Sequence, residues 1–241
     1  ALFFASVLLV GPATVLADDG GVRLPKDAEE HVLPSGVRAL VVPSKDVPMV
    51  SIHVRLPGGV FADGPEFGGR SSLLAQWVRR GAGDLDAAAF REAVEGRGGS
   101  LSTYAAPRWI GLDAEFLTED AATGLGLVTD VLTRPRLDPA ELAKARDLAV
   151  ERLKDLRTEP NDAIGSYWSA WLFAKHPFGT PGTGDETSLA KVADPESLAA
   201  LWKDTARPGN VWIALAGDVY AETGEDHRMV LHDLLDVIQR A

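Results

Sequence analysis

The stretch Gly69-Arg70-Ser71-Ser72-Leu73-Leu74-Ala75-Gln76-Trp77-Val78-Arg79-Arg80-Gly81 decides how the rest of this chain is read. Leu73, Leu74, Trp77 and Val78 recur at the spacing of one helical face, and a glycine stands at each end, so a short helix with one apolar side is predicted. Upstream, Met49 to Leu56 alternates Val50, Ile52, Val54 and Leu56 with Ser51, His53 and Arg55. That two-residue period predicts a strand with one buried face and a second face carrying His53. Pro57 to Gly69 is then a glycine-rich connection from strand to helix. Downstream, Asp84-Leu85-Asp86 caps a second helix over Ala87 to Val94, closed by Gly98-Gly99, with acids where the helix dipole favours them.

Further out, His31-Val32-Leu33 and Val37 to Val42 read as a hairpin turned by Pro34-Ser35-Gly36. Ser100 to Ala105 and Trp109 to Phe116 form a second strand pair. A helical tract follows, with segments over Ala121 to Leu132, Asp138 to about Leu156 and Pro160 to Ala174. Thr187 to Val192 and Leu198 to Thr205 are shorter helices. Val211 to Val219 is a nearly continuous apolar run, which predicts a strand buried on both faces. Asp226 to Arg240 has the pattern of an amphipathic helix.

Composition narrows the chemistry. The 241 residues carry a formal charge of −11, and the basic residues are dispersed, so nucleic acid is not an expected partner. There is no cysteine, hence no disulfide framework, thiolate metal site or thiol nucleophile. A zinc site would need histidines and carboxylates, and the only histidines are His31, His53, His176, His227 and His232. None lies between His53 and His176. No Ser-containing nucleophile elbow, phosphate loop or dinucleotide fingerprint is present.

Four ordered motifs carry a resemblance. They are the Gly69 to Gly81 helix; the long helix Glu141 to Pro160 ending in an acidic-Pro step; His176-Pro177-Phe178-Gly179 with Gly182-Thr183-Gly184 and Ser188-Leu189; and Arg207-Pro208-Gly209-Asn210 before a strand ending Gly217-Asp218-Val219. From about Glu29 to Val219 the chain resembles the N-terminal half of the insulinase/pitrilysin zinc peptidases, whose metal motif reads H-x-x-E-H. The resemblance implies an α+β fold, an antiparallel-rich sheet covered by helices, one half of a two-domain peptidase chain. On that register residues 29–220 form the domain, 18–28 a flexible acidic segment and 221–241 the start of a linker or helix toward a second domain.

What is similar is the frame of the motif rather than its reactive groups. The family register puts the first histidine on Ser72, the catalytic glutamate on Ala75, the second histidine on Gln76 and the third ligand, a glutamate, on Arg152. A hydroxyl, a methyl, a neutral amide and a guanidinium neither grip a dication nor polarise its water. A cation at the third position is adverse by about 4 kcal/mol per unit charge at a few Å and an effective dielectric of 20. The resemblance therefore implies no catalytic residues and no bound metal in this chain, with zinc carried by an active homologue instead. It also implies peptide binding by strand addition along Gly99, Ser100, Leu101, Ser102, Thr103, Tyr104 and Ala105, which main-chain pairing permits whatever the side chains.

Three functions are compatible with this reading: a non-catalytic subunit that pairs with a homologous zinc peptidase carrying an intact H-x-x-E-H motif and helps bind its peptide substrate, a stand-alone peptide-binding or scaffolding domain, or a zinc endopeptidase using another site. Export is expected from the opening apolar run Ala1 to Val10 and from Val15-Leu16-Ala17, which look like a signal peptide over 1–17 cleaved after Ala17. A periplasmic or cell-surface location in a bacterium, with no membrane span in the mature chain, follows from that expectation.

Overall fold

The structure is a computed structural model, and it describes residues 24–219 apart from 159, 175 and 180. The expectations for 1–17, 18–23 and 221–241, and for His227 and His232, fall outside the described residues.

Among the described residues six strands form one mixed sheet in the order β1-β2-β6-β3-β5-β4. These are β1 (Glu29–Val32), β2 (Arg38–Pro43), β3 (Met49–Pro57), β4 (Ser100–Ala105), β5 (Trp109–Leu117) and β6 (Trp212–Gly217). Every neighbouring pair is antiparallel except β2 with β6. The α+β class and the antiparallel-rich sheet agree with the sequence reading. The last strand inserts between the opening hairpin and β3, so the centre of the sheet is completed only when the chain returns from its helical tract.

Among the described residues eight helices accompany the sheet: α1 (Val60–Asp63), α2 (Arg70–Val78), α3 (Ala87–Glu95), α4 (Ala121–Thr133), α5 (Pro139–Thr158), α6 (Pro160–Phe173), α7 (Glu186–Val192) and α8 (Pro195–Thr205). The core lies between them and one face of the sheet. Val50, Ile52, Val54 and Leu56 of β3 are buried, as are Ile110, Leu112, Ala114 and Phe116 of β5 and Ile213 and Leu215 of β6. The alternation of β3 is thus the pattern of a sheet with one wet face. Helix α4 approaches so closely that a Cβ on Gly124 would stand 2.2 Å from the Phe116 ring, which is why the residue there has no side chain. No helix among the described residues is long and apolar enough to cross a membrane.

One local expectation is corrected. β6 is not buried on both faces: Trp212 is 55% exposed, and Ala214 and Ala216 are only part-buried. The helices cover a single face, and small alanines on the other face mimic a buried strand in sequence. The glycine-rich connection from 57 to 69 contains the short α1 and the 3-10 turn Pro65–Phe67.

Candidate functional site

Helix α2 is fixed at both ends by side chains and carbonyls from outside the helix. Its N-terminal neighbour Gly69 adopts positive φ and offers no side-chain cap. The buried carboxylate of Asp63 takes that role, accepting from the Ser71 backbone N–H (2.9 Å), the Ser71 hydroxyl (2.7 Å) and Arg70 Nε (3.3 Å). Burial pushes the Asp63 carboxyl above its ordinary value, against the pull of Ser71 and Arg70. An acid at a helix N-terminus satisfies the orphan amides and suits the dipole.

At the other end, the Thr103 hydroxyl of β4 donates to the Ala75 carbonyl (2.5 Å). Trp77, essentially fully buried, donates its indole N–H to the Asp138 carbonyl (2.8 Å) just before α5. Arg80 pairs with Glu141 of α5 at 3.0 Å. α2 is therefore tied to the edge strand on one side and to the long helix on the other. This is the frame a catalytic helix would need.

What that frame presents is not metal chemistry. Ser72 and Gln76 lie one turn apart on the part-buried side of α2, while Ala75 is fully buried. The Ser72 hydroxyl is already committed, donating to the Gly182 carbonyl at 2.6 Å. Arg152 lies exposed on α5, which packs against α2. Its charge bears on Arg79, three residues beyond Gln76. Crowding by the surrounding protein, then repulsion from Arg80 and Arg152, lowers Arg79 from its ordinary value, and it stays a cation at any working pH. A hydroxyl engaged elsewhere, a buried methyl and a neutral amide do not fit a zinc ion, and a guanidinium on the facing helix supplies no ligand for one. Among the described residues no three His, Asp or Glu side chains come together in a way that could hold a metal ion.

The histidines are dispersed. His31 lies on β1 with Glu29 at 3.2 Å. His53 is on β3, separated from β1 by two intervening strands, so the pair does not meet across the sheet. The His176 ring accepts the Phe178 N–H at 3.2 Å, consistent with a turn residue.

The open sheet face holds a cluster that sequence periodicity does not announce. His53 and Asp113 are register partners in β3 and β5, with Nδ1 to Oδ1 at 2.8 Å. Arg55 donates to the same carboxylate oxygen at 2.6 Å. Tyr104 lies over Gly111, where a Cβ would meet its ring at 2.4 Å. Partial burial alone would raise Asp113, but hydrogen bonds from Arg55, His53 and Tyr104 win and hold its carboxyl below the usual range. The same burial, with the Asp113 hydrogen bond, raises Tyr104. This cluster carries no nucleophile, and it joins three strands side to side.

The stretch expected to bind peptide, Gly99 to Ala105, includes β4 at the edge of the sheet. Leu101, Thr103 and Ala105 face the helices opposite Ala114, Leu112 and Ile110. Ser100, Ser102 and Tyr104 face the open side, and Gly99 packs on the Phe116 ring. Sequence reasoning did not single out a second surface. Helix α6 exposes Ile164, Tyr167, Trp168, Trp171 and Leu172. Their spacing is visible in the chain, but it has the form that usually marks a core-facing stripe.

Comparison with known proteins gives a consistent picture. Residues 39–185 match the family model described as Insulinase (Peptidase family M16). An uncharacterized zinc protease of Bacillus subtilis, YmxG, is 25% identical over 191 residues, covering 79% of this chain and 46% of that protein. The chain thus spans less than half the length of that relative. Among solved structures, a peptidase M16 inactive domain from Pseudomonas fluorescens superposes with a TM-score of 0.76 at 19% identity, over 89% of this chain and 52% of that one. The periplasmic protease PqqL of Escherichia coli gives a TM-score of 0.79 at 13% identity, over 91% of this chain and 24% of that one. Those two identities speak for the fold alone.

Proposed function

Since the chain belongs to the insulinase family, peptidase family M16, we propose that it is a non-catalytic peptidase-like unit that pairs with a zinc-bearing homologue and contributes a peptide-binding edge to it. The observation that carries this reading is the contrast within α2. Its ends are held by Asp63, Thr103 and Trp77, while the positions that the family register assigns to chemistry are occupied by Ser72, Ala75 and Gln76, and the one it assigns to the third ligand by Arg152.

In this reading the peptide adds as a further strand to β4, main chain to main chain. Such pairing depends on backbone amides and carbonyls, so it survives loss of the metal ligands. Zinc and the polarised water belong to the partner, which carries the intact H-x-x-E-H. The apolar start of the sequence, with its Val15-Leu16-Ala17, supports export to the periplasm or cell surface.

Co-expression of this chain with an H-x-x-E-H homologue from the same genome tests the pairing. A stoichiometric complex on size exclusion, with faster peptide turnover than the homologue alone, is the expected result. A chain that elutes alone and leaves the homologue's turnover unchanged refutes it.

A further inference from the structure

A cavity of about 470 Å³ opens where α4, α8 and the chain entering β6 meet. Its apolar walls are Val37, Leu132, Leu137, Trp202, Val211 and Ile213, all buried except Leu137, which is part-buried. Small-molecule sites have this size and character, mostly apolar with a few placed polar groups.

Three observations say what such a molecule would carry. The first is a donor without an acceptor. Trp202 is 3% exposed, and its indole N–H has no hydrogen-bond partner among the described residues, whereas the equally buried Trp77 donates to the Asp138 carbonyl. An unmatched buried N–H weakens the fold, and an acceptor placed in the cavity relieves it. The second is charge. Arg134, Lys203 and Arg207 line the cavity and no acidic residue does. Arg134 is paired with Asp130 and Arg207 with Asp204, but Lys203 forms no ion pair among the described residues. The dipole at the end of α8 favours a cation there without giving Lys203 a carboxylate partner.

The third is strain. Leu137 has a φ of 48°, a left-handed conformation that a bulky side chain rarely adopts. Its segment is held there from outside: Gly83 N–H donates to the Arg134 carbonyl (2.9 Å), Arg136 N–H to the Gly81 carbonyl (3.0 Å) and the Trp77 indole to the Asp138 carbonyl. Strain of this kind gathers at ligand clamps, where the surrounding structure imposes it.

We propose that this cavity binds a small amphipathic carboxylate, an aryl or branched alkyl acid whose apolar body lies against Leu132, Leu137, Val211 and Ile213 and whose oxygens accept from the Trp202 indole and face Lys203. The inference stands apart from the peptide-binding reading, since β4 contributes nothing to the cavity. A ligand here joins α4, α8 and the chain entering β6, so it raises the unfolding temperature as it binds.

The test titrates 4-phenylbutyrate, 4-phenylbutanol and 4-phenylbutylamine, one apolar body with a negative, a neutral and a positive end, into the full chain. Six tryptophans give six indole N–H resonances, and the one missing from Trp202→Phe belongs to Trp202. Phenylbutyrate is expected to shift that resonance and to bind at least about fivefold more tightly than phenylbutanol, with the amine weakest. Lys203→Gln, at an exposed position, should narrow that preference by about two- to threefold. Ala199→Phe, which fills the cavity from α8, should abolish the shift. Calorimetry on these two variants reads the same preference without the Trp202→Phe chain. Binding of the alcohol or the amine as tight as that of the acid, or a preference unaltered by Lys203→Gln, overturns the assignment of an anion. A Trp202 resonance unmoved at saturation, an affinity unaltered by Ala199→Phe, or no binding of the acid overturns the site itself.

Discussion

The hydroxyl of Ser72 donates a 2.6 Å hydrogen bond to the carbonyl of Gly182, across 110 residues of chain. At the position that the proposed family register gives to the first metal-binding imidazole, this protein closes a loop onto its helix. The side chain is short enough to let that loop approach, and its only donor is used in holding it. Ser72→Ala removes the donor and leaves the Gly182 carbonyl part-buried without it. A loss of about 1 kcal/mol in unfolding free energy is expected, read as a lower urea midpoint at unchanged slope.

Thr103 is the corresponding tie at the other end of α2. A helix leaves its last carbonyls without intrahelical partners, and the Thr103 hydroxyl serves the one on Ala75. Thr103→Val keeps the shape and removes the donor. The expected cost is about 1–3 kcal/mol, and because β4 loses a tie to the helix, affinity for a strand-adding peptide should fall along with stability. Thermal unfolding and titration with a dansylated decapeptide alternating glycine with serine check the two effects separately.

Acid stability should depend on Asp113. Its carboxyl is held below the ordinary range by Arg55, His53 and Tyr104, despite partial burial. A carboxyl with a depressed folded-state pKa contributes stability that is fully present above its unfolded pKa and is lost as pH falls through the folded value. Asp63, whose carboxyl burial raises, works in the opposite sense. The informative quantity is therefore the difference between wild type and Asp113→Asn. That difference should be constant from neutral pH down to about pH 5 and shrink below about pH 4, as read from urea midpoints. A difference that grows on acidification contradicts the assignment.

Rebuilding the metal motif separates the ligands from their electrostatic setting. Ser72→His, Ala75→Glu and Gln76→His together restore the residue types of H-x-x-E-H but leave Arg152 beside α2. Repulsion of about 4 kcal/mol per unit charge at an effective dielectric of 20 should keep that triple variant from retaining zinc through gel filtration. Adding Arg152→Glu removes the cation and supplies a third ligand, so stoichiometric zinc is expected only in the quadruple variant. Equal retention by the triple variant would show that Arg152 does not bear on the site.

Much of the architecture could be read from local pattern. The alternation of Val50, Ile52, Val54 and Leu56 specified a one-sided strand, and the glycine-bounded spacing of Leu73, Leu74, Trp77 and Val78 specified α2. Both are properties of a few adjacent residues. What escaped depends on partners far away. Whether Ala214 and Ala216 are covered is decided by which sheet face the helices choose, so β6 read as doubly buried. The His53, Arg55 and Asp113 cluster exists only in the register of β3 against β5. The α6 stripe has the spacing of a core-facing helix, and only the packing of α5 and α6 shows that it turns outward. α1 was hidden because four residues between glycines are too few to show a period.

The measurement that bears most directly on the central claim is the metal content of the purified chain. Mass-spectrometric metal analysis after gel filtration in zinc-containing buffer should find zinc far below one ion per chain, with no peptide cleavage that a chelator abolishes. One zinc per chain, lost to chelator together with cleavage, would contradict the account.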